Sequence, residues 1–359
     1  MTAARLGRLC GLAGVLTLFG AGPCLAQQAR FARIAIDSDA SIDHSVDDSG
    51  NTTTNFIVDA VGSIRLSKRF EALTRPYLQR SASGEWNWQV WVAEVRYERP
   101  GAVGVRVDAG LIPSPVGYAN LLLRPHLNPT IAQPASLFQP LPQVQAAGPR
   151  ATLLGAVYAN GASVTVSGRH WDARTAIIDT SPLRTRRTFY NDNPPRFANV
   201  IAGVGITPFV GLRVGATVTH GGWQRAGESP VITRDRDATI VNIESEFSYR
   251  YTQIAGEWTR DVLQTSIDRE IASGWFIQAR QTLAPRWFVA GRVERMDAGA
   301  ATVTGLRIPQ RLIGVEEVVG FRVTPEITIR AGHRARETFG RNDFVQNGEV
   351  SVVWSKRWF

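Results

Sequence analysis

Cysteine is nearly missing, and where it occurs it is uninformative. Cys10 and Cys24 are the only two and both fall in the first 26 residues, so the rest of the chain can hold no disulfide, thiolate metal site or cysteine nucleophile. Lysine is scarce too: only Lys68 and Lys356 occur, and nearly all positive charge is guanidinium. After residue 26 no apolar run is long enough for a membrane helix, and 3.6-residue periodicity is rare, so a helical layer is not expected. Acids are absent from Leu111 to Arg150, where Arg124, His126 and Arg150 are the only ionisable groups.

The first residues read as an export signal. Arg5 and Arg8 precede the apolar run "LCGLAGVLTLFGAG", and "PCLAQQ" supplies small residues for cleavage after Ala26. Residues 1–26 are therefore expected to be a signal peptide and 27–359 the mature unit. The 40 Lys and Arg exceed the 31 Asp and Glu, for a formal net charge of +9. These arginines are scattered singly rather than clustered, a poor footprint for nucleic acid, which is not expected as a partner.

What the chain has in quantity is period two. In "VGLRVGATVT", Val210, Leu212, Val214, Ala216 and Val218 alternate with Gly211, Arg213, Gly215, Thr217 and Thr219. "VGVRVDAGL", "ASVTVSGRH" and "EITIRAGHR" repeat the scheme. "VGITPFVGLRVGA", "RQTLAPRWFVAGRV" and "GFRVTPEITIRAG" read as hairpins with proline at the turn, where its fixed φ is harmless and no ladder donor is lost. About sixteen strands fit, near 31–38, 55–66, 70–80, 86–97, 103–111, 151–158, 162–171, 197–206, 209–219, 238–248, 250–260, 272–283, 286–296, 311–323, 326–336 and 347–358. Short turns alternate with longer polar loops, and "DASIDHSVDDSGNTTTN" and "DARTAIIDTSPLRTRRTFYNDNPP" are expected among the loops.

A single sheet this large, apolar on one stripe and Gly/Arg-rich on the other, has no second layer to cover it and must close on itself. The expected fold is all-β: one antiparallel up-and-down transmembrane barrel with lipid outside and water within. An arginine facing lipid at mid-depth costs roughly 2–4 kcal/mol, so arginines within strands are expected to point inward. Trp86, Trp88, Trp91, Trp223, Trp275, Trp287, Trp354 and Trp358 are placed near strand ends, where aromatic girdles form.

The chain closes on "EVSVVWSKRWF", a last strand ending in phenylalanine that is similar to the terminal signal of outer-membrane proteins. With its signal segment and strand count, the chain resembles a sixteen-stranded bacterial porin. Its arginine usage leans toward the phosphate-selective porin family. The resemblance implies an outer-membrane location among lipid and lipopolysaccharide, a homotrimer, and a third outer loop bent into the barrel. Residues 112–150 are then that loop, stiffened by Pro113, Pro115, Pro125, Pro129, Pro134, Pro140, Pro142 and Pro149, with Leu121, Leu122, Leu123, Leu137 and Phe138 against the wall. The candidate pore-lining and anion-binding residues are Arg65, Arg106, Arg124, Arg169, Arg213, Arg250, Arg280, Arg292 and Arg330. Guanidinium suits such a filter because it pairs bidentately with phosphate or carboxylate and stays charged. Phosphate-selective channels also use central lysines, which this chain lacks, so the expectation is passage of small hydrophilic solutes with a modest preference for anions. Lumen acids such as Asp59, Asp108, Glu244, Glu246, Glu257 and Glu294 offset part of the positive ladder.

Other chemistry finds little support. "DSDASIDHSVDDSG" lacks the glycine and terminal glutamate of a calcium loop. The five histidines show no metal-ligand spacing, and neither metal nor cofactor is expected. His170 with Asp172 is the only local pair for a barrel enzyme, and no enzymatic activity is expected. The competing class is a barrel acting as surface receptor, adhesin or structural protein with a closed lumen.

Overall fold

The computed structural model describes residues 33–80, 84–142, 151–155, 158–184, 199–230, 232–265, 269–301, 307–340 and 343–358. The expected signal peptide lies outside them. Sixteen strands follow in order: β1 (Arg33–Asp47), β2 (Thr52–Arg65), β3 (Phe70–Arg80), β4 (Trp86–Arg99), β5 (Gly104–Ile112), β6 (Ala159–Ser167), β7 (Trp171–Ile178) and β8 (Asn199–Phe209). The second half holds β9 (Leu212–Gln224), β10 (Arg236–Tyr249), β11 (Thr252–Gln264), β12 (Arg269–Ala284), β13 (Trp287–Ala301), β14 (Arg307–Arg322), β15 (Ile327–Glu337) and β16 (Phe344–Arg357). Each strand pairs antiparallel with its sequence neighbours, and β1 closes the barrel on β16, from Asp37↔Arg357 to Asp47↔Asn347.

Closure follows from the alternation. On β8 the inward residues Asn199, Ile201, Gly203 and Gly205 alternate with Val200, Val204 and Ile206, which are more than half exposed on the outside. On β16, Val350, Val352 and Trp354 face out while Glu349, Ser351 and Val353 are buried within. Outward aromatics gather toward both ends. Trp287 meets Phe321 and Phe70 meets Tyr97 at one end, and Phe56 meets Trp86 at the other. Trp91 and Trp223 depart from the expected girdles: both are buried inside the barrel.

Connections alternate in length. At the near end, which also holds both strand termini of the seam, the turns span 66–69, 100–103, 168–170, 210–211, 250–251, 285–286 and 323–326. Gly211 sits at φ 99°, where a Cβ would fall 2.3 Å from the Ser248 carbonyl oxygen, so glycine is required there. At the far end the three long connections are 113–158, 179–198 and 225–235.

Two expected elements are displaced. Residues 151–155 and 158 form no strand; β6 begins at Ala159, and β7 occupies 171–178, most of which the sequence reading had given to a loop. "ATLLG" is apolar without alternation because it packs inside the barrel: Leu153 and Leu154 are fully buried. Likewise β1 runs on to Asp47, so most of the acidic segment expected as an outer loop is wall, and only 48–51 connect it to β2. Asp39 is buried and Asp43 half-buried on its inward stripe.

Candidate functional site

The passage after β5 turns into the barrel and crosses it. A 3₁₀ turn at Ala119–Leu123 and a single helical turn, α1 (Ala135–Phe138), are its regular elements among the described residues. Val116, Ala119, Leu122 and Leu137 have no exposed surface, whereas Leu121 and Phe138 are about half exposed rather than packed. Leu122, Leu123, Leu137, Leu153, Leu154 and Leu183 join inward residues of many strands, including Ile178, Ile201, Ile240, Phe276, Met296 and Leu312, in one apolar cluster. The far half of the lumen is thus largely filled.

Charged wall residues hold the crossing chain by its backbone. Glu257 on β11 accepts the amide N–H groups of Tyr118 and Ala119, the latter at 2.9 Å. Glu316 on β14 accepts those of Ile131 and Ala132 at 2.7 and 2.9 Å, and Glu294 on β13 accepts that of Ala135 at 2.8 Å. Arg330 on β15 donates to the carbonyl oxygens of Asn128 and Thr130 at 2.8 and 2.6 Å, and Arg292 donates to that of Ala132 at 2.8 Å. Arg124 and His126 reach back to Asp39 on β1, the histidine Nδ1 at 2.7 Å. The acid-free passage thus offers amide donors to wall carboxylates and carbonyl acceptors to wall arginines, and Arg124 and His126 hold it by side chains. Hydrogen bonds between an ionised side chain and main chain are the stronger kind.

Nearer the turns the lumen carries ionic networks. Arg96 and Arg106 share Asp108, both at 2.7 Å, and Arg96 also meets Glu94 at 2.8 Å. Across the next strands Arg174 and Arg213 share Glu244 at 3.0 and 2.7 Å, with Asp172 on the other side of Arg213. Inward glycines make room for them. A Cβ on Gly203 would lie 2.9 Å from the Arg174 Nε, and one on Gly205 would lie 2.4 Å from an Asp172 oxygen. The guanidinium and carboxylate groups lie over these glycines against the sheet. Between the two regions Arg75 is enclosed by Asp59, Trp91 and Tyr158, its Cζ 4.9 Å from the Trp91 ring centre. Burial pushes the Tyr158 phenol up to about 12, so it receives the Arg75 N–H as a neutral hydroxyl.

The nine sequence-designated arginines fall into three sets. Arg106 and Arg213 belong to the open networks, and Arg280 lies over the Phe288 ring at 4.2 Å. Arg124, Arg292 and Arg330 fasten the crossing segment, and the last two are almost wholly enclosed, with side chains 1% and 4% exposed. Arg65 ends β2 at the near rim, while Arg169 and Arg250 stand in turns outside any strand, Arg250 at φ 51°. Arg169 had been read into a strand at 162–171, whereas β6 ends at Ser167.

The sequence reading passed over Arg96, Arg174 and Arg334. All three occupy inward positions of alternating runs ("AEVRYE", "WDARTAI", "IRAGHRA") and carry the signal that marked the others. It placed Glu257 and Glu294 in the lumen but gave no wall carboxylate a part in holding the loop, since nothing in a lone strand glutamate shows which main chain will reach it. Among the described residues no group of three or more His, Cys, Asp or Glu is placed to hold a metal ion.

No protein-family model and no curated protein matches the sequence. Solved structures do. An anion-selective porin from Comamonas acidovorans superposes with a TM-score of 0.57 over 90% of this chain and 99% of its own, at 9% identity. The two share a barrel fold. The trimer form of OmpT, an outer membrane protein of Vibrio cholerae, gives a TM-score of 0.59 at 10% identity, covering 91% of this chain and 100% of that one. OmpF of Salmonella typhi, solved in complex with daunomycin, gives 0.58 at 11% identity over 90% and 98% of the two chains.

Proposed function

We propose that the protein is an exported porin of the bacterial outer membrane: a passive, non-enzymatic channel for small hydrophilic solutes that favours anions. The apolar exterior between two aromatic zones and the charged interior support a barrel in lipid. The fold likeness to an anion-selective porin is consistent with that reading, as is a homotrimer with the OmpT trimer form.

One observation carries the anion preference. In most lumen ion pairs the carboxylate lies against the wall and the guanidinium faces outward. Side-chain exposure is 45% for Arg106 against 3% for Asp108, 29% for Arg213 against 4% for Glu244, and 18% for Arg334 against 4% for Glu349. The enclosed Arg330 and Arg292 reverse it against Asp43, Glu294 and Glu316, as does Arg96 by a small margin against Glu71. Water in the lumen thus meets N–H donors more than carboxylate oxygens, and low-dielectric walls focus the resulting positive potential. Without lysine in the lumen the preference is for small anions generally, phosphate included, rather than for phosphate alone. In the far half the inward residues of β1, β15 and β16 stay polar, among them Asp43, Arg334, Asn347 and Glu349, and the aqueous path follows that side of the loop.

Reversal potential across a planar bilayer in a potassium chloride gradient tests this directly. The expected sign is that of chloride preference; potassium preference would sink the filter. The filled far half of the lumen favours a second reading, a barrel without an open pore, and insertion with no conductance would establish it.

A further inference from the structure

Along much of the lumen, strand arginines are matched with acids. Arg96, Arg106, Arg174, Arg213, Arg292 and Arg334 each meet a carboxylate oxygen at 3.0 Å or less. The near end of β12 to β14 breaks that rule. Arg280 on β12 and Arg322 at the end of β14 both take inward positions, and among the described residues neither forms an ion pair. The Arg280 Nε is enclosed without a hydrogen-bond partner. The charge that acts on this guanidinium is a like one, from Arg322.

Phe288 on β13 sets the arrangement. Its ring lies across Gly320 on β14, where a Cβ would fall 2.0 Å from the ring Cζ. The Arg280 Cζ stacks over the same ring, 4.2 Å from its centre. Arg322 is the next inward residue beyond Gly320, so both cations stand about one aromatic side chain. Stacking fixes a guanidinium in place and leaves its N–H edge free. The adjoining turns, 285–286 and 323–326, bring a third cation, Arg286, and a single acid, Glu326. Glu326 accepts the Thr324 hydroxyl at 3.1 Å and pairs with neither arginine. Arg322 is exposed and Arg280 half-buried, so lumen water reaches both.

Two like charges set together without an acid destabilise each other, and a counter-charge from solution removes that penalty. One doubly charged anion neutralises both at once, and its several oxygens accept from two N–H forks; a chloride ion does neither.

We propose that Arg280 and Arg322 form a binding site for a doubly charged oxyanion at the near mouth of the lumen. The site stands apart from the crossing segment, which Arg292 and Arg330 hold farther in on the same wall. A dianion using that mouth is held there, not merely admitted by the field of the lumen. The inference rests on the channel reading above.

Sulfate keeps two charges at neutral pH and is the probe. In a planar bilayer at fixed potassium chloride, added potassium sulfate should lower the chloride current of the parent protein. Arg280→Gln combined with Arg322→Gln should raise the half-blocking concentration at least about tenfold, since two charge-assisted hydrogen bonds are lost. Arg250→Gln, in a turn, should leave it within about twofold. A parent current indifferent to sulfate, or a double variant blocked like the parent, overturns the site. If the double variant does not insert, Arg322→Gln alone, on an exposed side chain, should shift the block about threefold, and no shift overturns the site equally. Calorimetry on the detergent-folded protein gives a reading free of conductance: one sulfate per chain in the parent and none in the double variant. Equal heats in the two overturn the site. A parent that inserts without conducting defeats the channel reading, and the calorimetry then decides the site on its own.

Discussion

The two halves of the lumen use the same strand code for opposite ends. Toward the turns, inward positions hold arginine, carboxylate and glycine, and the ionic groups lie flat over the glycines. Toward the far end, inward positions of many of the same strands hold Ile178, Ile201, Ile240, Phe276 and Leu312, and these bury the leucines of the entering chain. On the membrane reading proposed above, lipid dictates only the outer stripe. The inner stripe answers to whatever occupies the interior, water in one half and the protein's own chain in the other. A barrel read as apolar outside and polar inside is therefore only half described.

The contrast can be broken most severely at Glu316. This carboxylate receives two loop amides and the enclosed Arg292, so Glu316→Ala strands a buried charge and should cost about 3–5 kcal/mol. Chemical denaturation of the vesicle-folded barrel would register the loss, and a cost below about 1 kcal/mol would mean that the segment is held some other way. Leu137→Ala tests the packed half alone. Deleting this fully buried side chain should cost about 2–5 kcal/mol in the same assay while leaving ion preference unaltered.

The wet half answers to charge rather than volume. Arg106→Glu combined with Arg213→Glu should move reversal potential toward cations, by about 0.5–1 kcal/mol of discrimination for each exposed charge, roughly two- to fivefold. An unshifted potential would place both groups away from the conducting path. The smallest effect belongs to Arg250→Ala. Its side chain is in a turn, and both stability and selectivity should stay within about 0.5 kcal/mol of the parent. A large change there would contradict the separation of turn arginines from lumen arginines.

Most of the barrel was legible because closure and side-chain direction are local consequences of alternation. "VGLRVGATVT" and "EITIRAGHR" each show which residues face outward without any knowledge of their partners. The errors arose where an interior contact replaced that rule. "ATLLGAVY" looked like a strand because it is apolar, yet Leu153 and Leu154 serve the internal cluster. "DSDASIDHSVD" looked like a loop because it is acidic, yet Asp39 is a wall residue that binds Arg124 and His126. Of the site, the enclosed crossing segment and the arginines inside strands could be read from composition. Which arginines stay wet could not, because Arg292 and Arg213 look alike until the main chain that covers one of them is in place.

Since Glu257, Glu294, Glu316 and Arg330 grip amides and carbonyls, the crossing segment is moored largely by main-chain atoms that every residue but proline carries. The exposed side chains of Leu121, Leu127 and Phe138 can change identity without loosening any of these main-chain moorings. Such a design separates the aperture's position from its chemistry, and leaves selection free to retune what passes.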